Sequence, residues 1–266
     1  MCRLLAYVGP PVPLARLLLL GEPSLLEQSY RPRQMTEALL NADGFGVAWY
    51  TAVDPAPARY RSALPMWNDE NVPSIAPHIA SGRVLAALRS ATPGVGFGLM
   101  NTPPFVNGRY AFAHNGLLEG FADGVGRRLR EGLGERAYRA ILGSSDSEHL
   151  FACVLDALFD GQPLDAALRR MVARVHAVRA EVGAGLARPP DALLTCMLTD
   201  GHAVVALRHA IGARPAPTLS VLRAPWGEGG ALLASEPTTS DPRWEPVAPG
   251  TIVSIAADGA VAMAPC

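Results

Sequence analysis

The chain opens Met1-Cys2-Arg3, which places a thiol one residue from its start. The side chain of Cys2 is small enough to permit removal of Met1, and a chain so processed would carry a thiol and a free α-amine on one residue. A thiol is a few per cent thiolate at neutral pH, and an α-amine with an unperturbed pKa of about 8 can take its proton directly or through one water. Nucleophile and base would then share one Cα. A small second residue also serves methionine removal alone, so the meaning of Cys2 depends on the other chemistry the chain can bring to it.

Four further stretches carry that chemistry. Asn41-Ala42-Asp43-Gly44-Phe45-Gly46 combines an Asp-Gly turn signal with two glycines. It lacks the third glycine and the following helix of a phosphate-binding fingerprint, which leaves a turn between strands or a backbone that approaches a ligand closely. Arg89-Ser90-Ala91-Thr92 follows an alternating apolar run. His114-Asn115-Gly116 reads first as an Asn-Gly hairpin turn. Its functional alternative is an Asn amide and a Gly N–H converging on one point, the two donors of an oxyanion hole. Ser145-Asp146-Ser147-Glu148 satisfies the S-x-x-E capping box at a helix start. It also places Asp146 at the first helical position, where the helix dipole favours a carboxylate that could hold an ammonium group.

Elements able to position these residues are legible on both sides of them. Cys2 to Val8 reads as a strand that would hold the N-terminus inside the fold, and Leu14 to Leu20 as a short buried helix. Gln28 to Arg33 is polar and proline-broken, and is expected to be a loop. Strands are expected at Val47–Tyr50, Arg83–Arg89 and Tyr110–Ala113, the last ending at His114. Helices follow near Val125–Gly132 and Glu135–Leu142, then two long ones at His149–Phe159 and Leu164–Val182. The remainder is strand-like: Ala192–Thr199, Ala203–Arg208, Thr218–Leu222, Ala231–Ala234, Thr251–Ala256 and Ala260–Met263, with Asp200-Gly201 and Asp258-Gly259 as turns. The order strands, two helices, strands predicts an α+β fold of two antiparallel sheets packed face to face with helices outside. No internal repeat or linker divides the chain, so residues 1–266 are expected to form a single domain.

Composition excludes several classes. A chain of 266 residues with 49% hydrophobic content is long and apolar enough for a substantial core. Its net charge of −1 comes from 23 basic residues, all Arg, against 24 acidic ones with no long run of either sign. The basic stripe that nucleic acids require is absent. Cys2, Cys153, Cys196 and Cys266 are scattered singly and the His residues lack metal-ligand spacing, so neither a disulfide scaffold nor a metal site is indicated. The apolar start is interrupted by Pro10, Pro11, Pro13 and Arg16, unlike a secretory signal, and no stretch approaches the ~20 apolar residues of a membrane span. A cytoplasmic protein without cofactor, nucleic-acid or membrane partners is expected.

The five motifs, in this order across the first ~150 residues, resemble those of the class II glutamine amidotransferases, which belong to the N-terminal nucleophile hydrolases. Within that family, Met1-Cys2-Arg3, Gln28-Ser29-Tyr30-Arg31-Pro32 and Asn41 to Trp49 look most like the γ-glutamyl hydrolase branch of ergothioneine biosynthesis. The resemblance implies a four-layer αββα sandwich. It implies that Cys2 is the nucleophile with its α-amine as base, that Asn115 and Gly116 form the oxyanion pair, that Arg89 holds the substrate α-carboxylate, and that Asp146 holds the α-ammonium. Ser90 and His114 are carried over with their motifs as substrate-binding residues. A bidentate guanidinium matches a carboxylate and an ionised Asp matches an ammonium, so the physical fit is good. The reaction implied is hydrolysis of a γ-glutamyl amide through a Cys2 thioester, with γ-glutamyl-hercynylcysteine S-oxide as the branch's substrate. The alternative is a glutaminase subunit that passes ammonia to a separate synthase. Since no synthase domain follows in this chain, no obligate synthase partner is expected. Walls for the amine half of a substrate are sought in Tyr30–Arg33 and Gly94–Pro104, with Trp49, Tyr50, Trp67, Phe97 and Trp226 as candidate faces for a quaternary cation.

Overall fold

The computed structural model describes residues 2–34, 39–91, 96–227 and 229–266. In chain order the first half runs β1 (Arg3–Pro13), α1 (Leu14–Leu18), α2 (Leu25–Tyr30), β2 (Phe45–Trp49), β3 (Ala58–Ser62), α3 (Asn71–Ile75), β4 (Ala80–Leu88), β5 (Phe105–Asn107) and β6 (Tyr110–Leu118). Then come α4 (Gly126–Glu131), α5 (Glu135–Tyr138), α6 (Asp146–Phe159), α7 (Leu164–Gly183), β7 (Ala192–Thr199), β8 (Val204–Ile211), β9 (Ser220–Arg223), β10 (Ala231–Ala234), β11 (Glu245–Pro246), β12 (Thr251–Ile255) and β13 (Val261–Pro265). The strands form two antiparallel sheets, β11-β9-β10-β1-β4-β2-β3 and β13-β12-β8-β7-β6-β5.

Side-chain alternation along these strands creates three apolar layers. On β1, Leu4, Ala6 and Val8 face the second sheet together with Ala87, Ala111, Ala113 and Met197, a lining rich in alanine. Leu5 and Tyr7 point the other way, against Leu14, Leu17, Leu18 and Leu25 of α1 and α2. On β6, Phe112 packs outward on α6 and α7, where Leu150, Val154, Leu168, Met171 and Val175 fill the layer. The result is the αββα order of layers expected from the sequence.

Two local expectations fail. Gln28, Ser29 and Tyr30 belong to α2 rather than to a loop: Ser24 caps the helix by accepting from the Glu27 N–H at 3.1 Å, and Pro32 lies just beyond its end. More consequentially, His114-Asn115-Gly116 does not turn. The strand β6 continues to Leu118, with His114, Asn115, Gly116 and Leu118 paired to Cys196, Thr195, Leu194 and Ala192 of β7. The Asn-Gly that makes a hairpin lies earlier, at Asn107-Gly108: Asn107 pairs with Tyr110 across the two-residue loop Gly108-Arg109, and Gly108 takes φ +53°. An Asn-Gly pair can turn the chain, but a long neighbouring strand that binds both of its flanks holds it extended.

Candidate active site

The N-terminal end of β1, next to Cys2, is pinned from two sides. Continuing the alternation of β1 by two residues places Cys2 on the face of Leu4, Ala6 and Val8, toward the second sheet. Its Sγ lies half-buried, 3.7 Å from the Ser90 carbonyl oxygen. Leu4 exchanges two hydrogen bonds with Ser235, its N–H donating to Oγ at 2.9 Å and its carbonyl accepting from the Ser235 N–H at 3.0 Å. Arg3 is almost wholly buried; its Nη1 donates to the Cys2 carbonyl at 2.9 Å and its Nε lies 3.1 Å from Glu236 Oε2. Burial pushes the Arg3 pKa below the ordinary guanidinium value, and the Glu236 carboxylate opposes that shift. Glu236 also accepts from the N–H groups of Arg33 and Gln34, each at 2.9 Å. Met1 lies outside the described residues.

Arg89 follows directly on β4 and is buried. Its backbone N–H donates to the Gly44 carbonyl at 2.8 Å, and its guanidinium donates to the carbonyls of Asp43 at 3.3 Å and Gly96 at 3.0 Å. The Asp43 side chain accepts from the Ala91 N–H at 2.7 Å. Asp43-Gly44 therefore serves as a bracket for the Arg89–Ala91 corner. Gly44 takes φ +117°, and an added Cβ would meet the Ser62 carbonyl at 2.8 Å, so the glycine answers to a turn and to packing within the protein. Thr92 lies outside the described residues.

Asp146 opens α6 and is buried. Its Oδ2 accepts from the Leu118 N–H at 3.0 Å and its Oδ1 from the Ser147 N–H at 2.7 Å. Half of the capping box forms: Ser145 Oγ accepts from the Glu148 N–H at 3.2 Å. The Glu148 carboxylate instead reaches the N–H groups of Leu142 and Gly143, and its pKa is raised by burial. The N–H groups of Ser144 and Ser145 go to Asn101 Oδ1, at 2.8 and 3.1 Å. Asn101 Nδ2 donates to the Gly96 carbonyl at 2.9 Å, the same oxygen that Arg89 uses. One asparagine thus links the loop that aims Arg89 to the helix start that carries Asp146.

On β6 the alternation separates the motif. Ala111 and Ala113 face the first sheet, so Asn115 faces it too, while His114 and Gly116 share the opposite face with Phe112. Asn115 is fully buried, and neither its Oδ1 nor its Nδ2 has a hydrogen-bond partner. A buried amide left in that condition costs about 1 to 3 kcal/mol unless a ligand uses it. At Gly116 an added Cβ would sit on the Leu193 carbonyl and 2.6 Å from His114 Nε2. Both nitrogens of His114 are engaged within the protein, Nε2 with the Leu193 carbonyl at 2.8 Å and Nδ1 with Ser147 Oγ at 2.9 Å.

Cys2, Arg89, Ser90, His114, Gly116 and Asp146 line one cleft, together with Ala91, Asn101, Pro103, Phe105, Ser145 and Ser147. Asn115 is not among the lining residues; its side chain faces the layer between the sheets. The cleft thus joins a thiol, a buried cation and a buried anion. Of the expected amine-side walls, residues 101 and 103 of the glycine- and proline-rich loop take part, Gly94 lies outside the described residues, and Tyr30–Arg33 does not line the cleft. None of Trp49, Tyr50, Trp67, Phe97 and Trp226 lines it either; among the described residues the aromatic rings that do are those of Phe105 and His114. Tyr50 is buried with its hydroxyl on the Arg109 carbonyl, Tyr30 meets Trp67 edge to face, and Trp226 packs near Tyr7 and Arg16. Sequence reasoning missed Asn101 and Ser147, whose partners lie in other segments, and Glu236, which stands at the polar end of the apolar run Ala231–Ala234 and carries no motif.

Comparison with known proteins gives the chain its family. The family model described as glutamine amidotransferases class-II matches residues 20–229. The γ-glutamyl-hercynylcysteine sulfoxide hydrolases of Mycobacterium tuberculosis and Mycolicibacterium smegmatis are each 33% identical to the chain; the first match covers 97% of this chain and 94% of that protein, the second 96% of each. A glutamine aminotransferase class-II domain protein from Silicibacter pomeroyi has a solved structure that superposes with TM-score 0.72 at 27% identity, covering 99% of both chains. The glutamine phosphoribosylpyrophosphate amidotransferase of B. subtilis, at TM-score 0.63 and 14% identity over 49% of its length, shares the fold. With its two packed antiparallel sheets and a family match that spans most of its length, the chain belongs to the class II glutamine amidotransferases.

Proposed function

We propose that the protein hydrolyses the γ-glutamyl amide bond of a small molecule, with Cys2 as nucleophile, and that the substrate is γ-glutamyl-hercynylcysteine sulfoxide, the compound named for its mycobacterial relatives. The observation that carries the reading is the placement of Arg89 and Asp146, one buried cation and one buried anion, in the same cleft as Cys2. A free α-amino acid end is a zwitterion, and this pair complements it. Arg89 takes the α-carboxylate, Asp146 takes the α-ammonium, and the γ-carbonyl is thereby carried to the thiol. With Met1 removed, the α-amine accepts the Sγ proton as the S–C bond forms. The oxyanion then falls to Asn115 Nδ2 and the Gly116 N–H, donors fixed by β6 before the substrate arrives. Collapse breaks the C–N bond, and the amine departs with the proton held by the α-ammonium. Water then attacks the thioester, the α-amine takes its proton, and the thiol is restored as glutamate leaves.

A side-by-side assay of γ-glutamyl-hercynylcysteine sulfoxide, γ-glutamylcysteine and glutamine, with Cys2→Ala as blank, tests the proposal. We expect the sulfoxide to lead by several decades in kcat/KM, because contacts with the amine half can lower the barrier only when that half is present. Turnover of glutamine at an equal or higher rate, with ammonia as product, assigns the chain to ammonia supply for a synthase instead.

A further inference from the structure

His114 sits in the cleft wall with its nitrogens turned to the protein, and its neighbour Ser147 lies between it and Asp146. The Leu193 carbonyl, 2.8 Å from Nε2, can only accept, so Nε2 carries a proton. In the neutral ring Nδ1 is then an acceptor, and Ser147 Oγ at 2.9 Å must donate to it. The same hydroxyl lies 3.2 Å from Asp146 Oδ1. A hydroxyl has one proton and cannot serve both acceptors. With a neutral ring, Asp146 Oδ1 receives the Ser147 N–H but not the hydroxyl, and keeps acceptor capacity toward the cleft. With a charged ring, Nδ1–H donates to Ser147 Oγ, and the hydroxyl proton turns to Asp146 Oδ1.

We infer that His114 and Ser147 are positioning residues that set how much of the Asp146 carboxylate is free for the substrate ammonium, and that protonation of His114 weakens ammonium binding. Both consequences of protonation act in one direction: the hydroxyl occupies Oδ1, and a positive charge arrives near the ammonium. The other charged and titratable groups around the ring are Asp146 on α6, Cys2 ahead of β1 with the α-amine it would carry, and Arg89 after β4, which share the cleft, and His149 further along α6, which interacts with Asp146 and whose charged form burial disfavours. Cys196, its register partner on β7, has its thiol pKa pushed up by complete burial and does not charge in the range that matters. The inference rests on the proposed role of Asp146 and adds the control over it.

The test is calorimetric binding of L-glutamate and of glutarate, which lacks the ammonium, to Cys2→Ala protein between pH 5.5 and 8 at fixed ionic strength. Glutamate affinity should fall about tenfold or more as the pH is lowered, the scale of one charge-assisted hydrogen bond. Glutarate affinity should not follow it. Adding Ser147→Ala should shrink the fall to the few-fold that the imidazolium exerts through space, and Ser147→Thr, which keeps the hydroxyl, should restore it. Thermal unfolding of each variant separates this from loss of fold. A parallel fall for both ligands, or a profile unchanged by Ser147→Ala, overturns the inference while leaving the substrate reading standing. Failure of glutamate to bind at pH 8 overturns the ammonium role of Asp146 and the inference with it.

Discussion

At the scale of the residue, the four cysteines meet different environments. Cys2 is half-buried in the cleft, whereas burial pushes the Cys153 thiol up to about 12 and the Cys196 thiol higher than an ordinary thiol by a wide margin. A thiol that stays protonated and shielded reacts with neither electrophiles nor oxidants. Brief treatment of folded protein with iodoacetamide at pH 8, followed by peptide mass analysis, should therefore label Cys2 and exposed Cys266 and spare Cys153 and Cys196. Labelling of Cys2 should parallel loss of activity. For the charged pair, Arg89→Lys and Asp146→Asn should each lower kcat/KM ten- to hundredfold, since one charge-assisted contact is worth about 1.5 to 3 kcal/mol. Lysine keeps the charge of Arg89 but loses the fork that the Asp43 and Gly96 carbonyls orient. Kinetics beside thermal unfolding decides the matter: a collapsed melting point with unchanged kcat/KM in the folded fraction would make both residues structural.

At the scale of the element, β6 can carry the proposed oxyanion donors because it does not turn. Its ladder with β7 runs from Ala111 through Leu118, and the alternation of an unbroken strand sends Asn115 inward and His114 outward from adjacent positions. Gly116 is the point of closest approach. Gly116→Ala must displace the Leu193 carbonyl and the His114 ring together, and overpacking of this kind costs about 1 to 3 kcal/mol or more. We expect a melting point lower by several degrees and a loss of kcat that exceeds the rise in KM, because the shift moves an N–H proposed to face the transition state. Unchanged kcat in Gly116→Ala would remove this residue from the oxyanion site. On α6 a corresponding division of labour holds: Ser145 caps the helix, Asn101 holds the chain entering it, and Asp146 faces the cleft.

At the scale of the whole molecule, the site depends on how two sheets are joined. The proposed nucleophile lies at the start of one sheet and the proposed oxyanion donors within the other, and small residues such as Ala6, Ala87, Ala111 and Ala113 fill the layer between them. The buried Arg3–Glu236 pair ties the first residues of β1 to the segment after β10 and, through the Arg33 and Gln34 N–H groups, to the segment after α2. Removing one partner of a buried pair leaves the other charge uncompensated, at about 3 to 5 kcal/mol. Glu236→Gln should therefore unfold at markedly lower denaturant concentration than the wild type, measured by equilibrium urea titration. Its surviving folded fraction should also show reduced kcat, since Arg3 Nη1 holds the Cys2 carbonyl. A stability within 1 kcal/mol of wild type would show that water already reaches the pair.

Much of this molecule was determined by local sequence. The strands at the start of the chain, after Asp43-Gly44, before Arg89 and from Ala192 onward follow from apolar alternation and turn residues. The helix after Ser145 follows from its cap and apolar run, and the layer order follows from the succession of strands and helices. Six of the seven predicted site residues lie in one cleft. Cys2, Arg89, Ser90 and Asp146 sit where a strand or helix begins or ends, places marked by residue type, whereas His114 and Gly116 lie within the unbroken strand β6. What only the tertiary structure decided is of another kind. Whether Asn115-Gly116 turns or stays extended was settled by β7, far along the chain, and the small difference in local preference could not have chosen. The Leu4–Ser235 pair lies 231 positions apart, and Arg3–Glu236 spans a similar distance. Neither the capture of two N–H groups by Asn101 nor the choice before the Ser147 hydroxyl can be read from spacing. Hydrogen bonds of that sort exist only once packing has excluded water and left buried polar groups to find each other, and packing is a property of the assembled sheets.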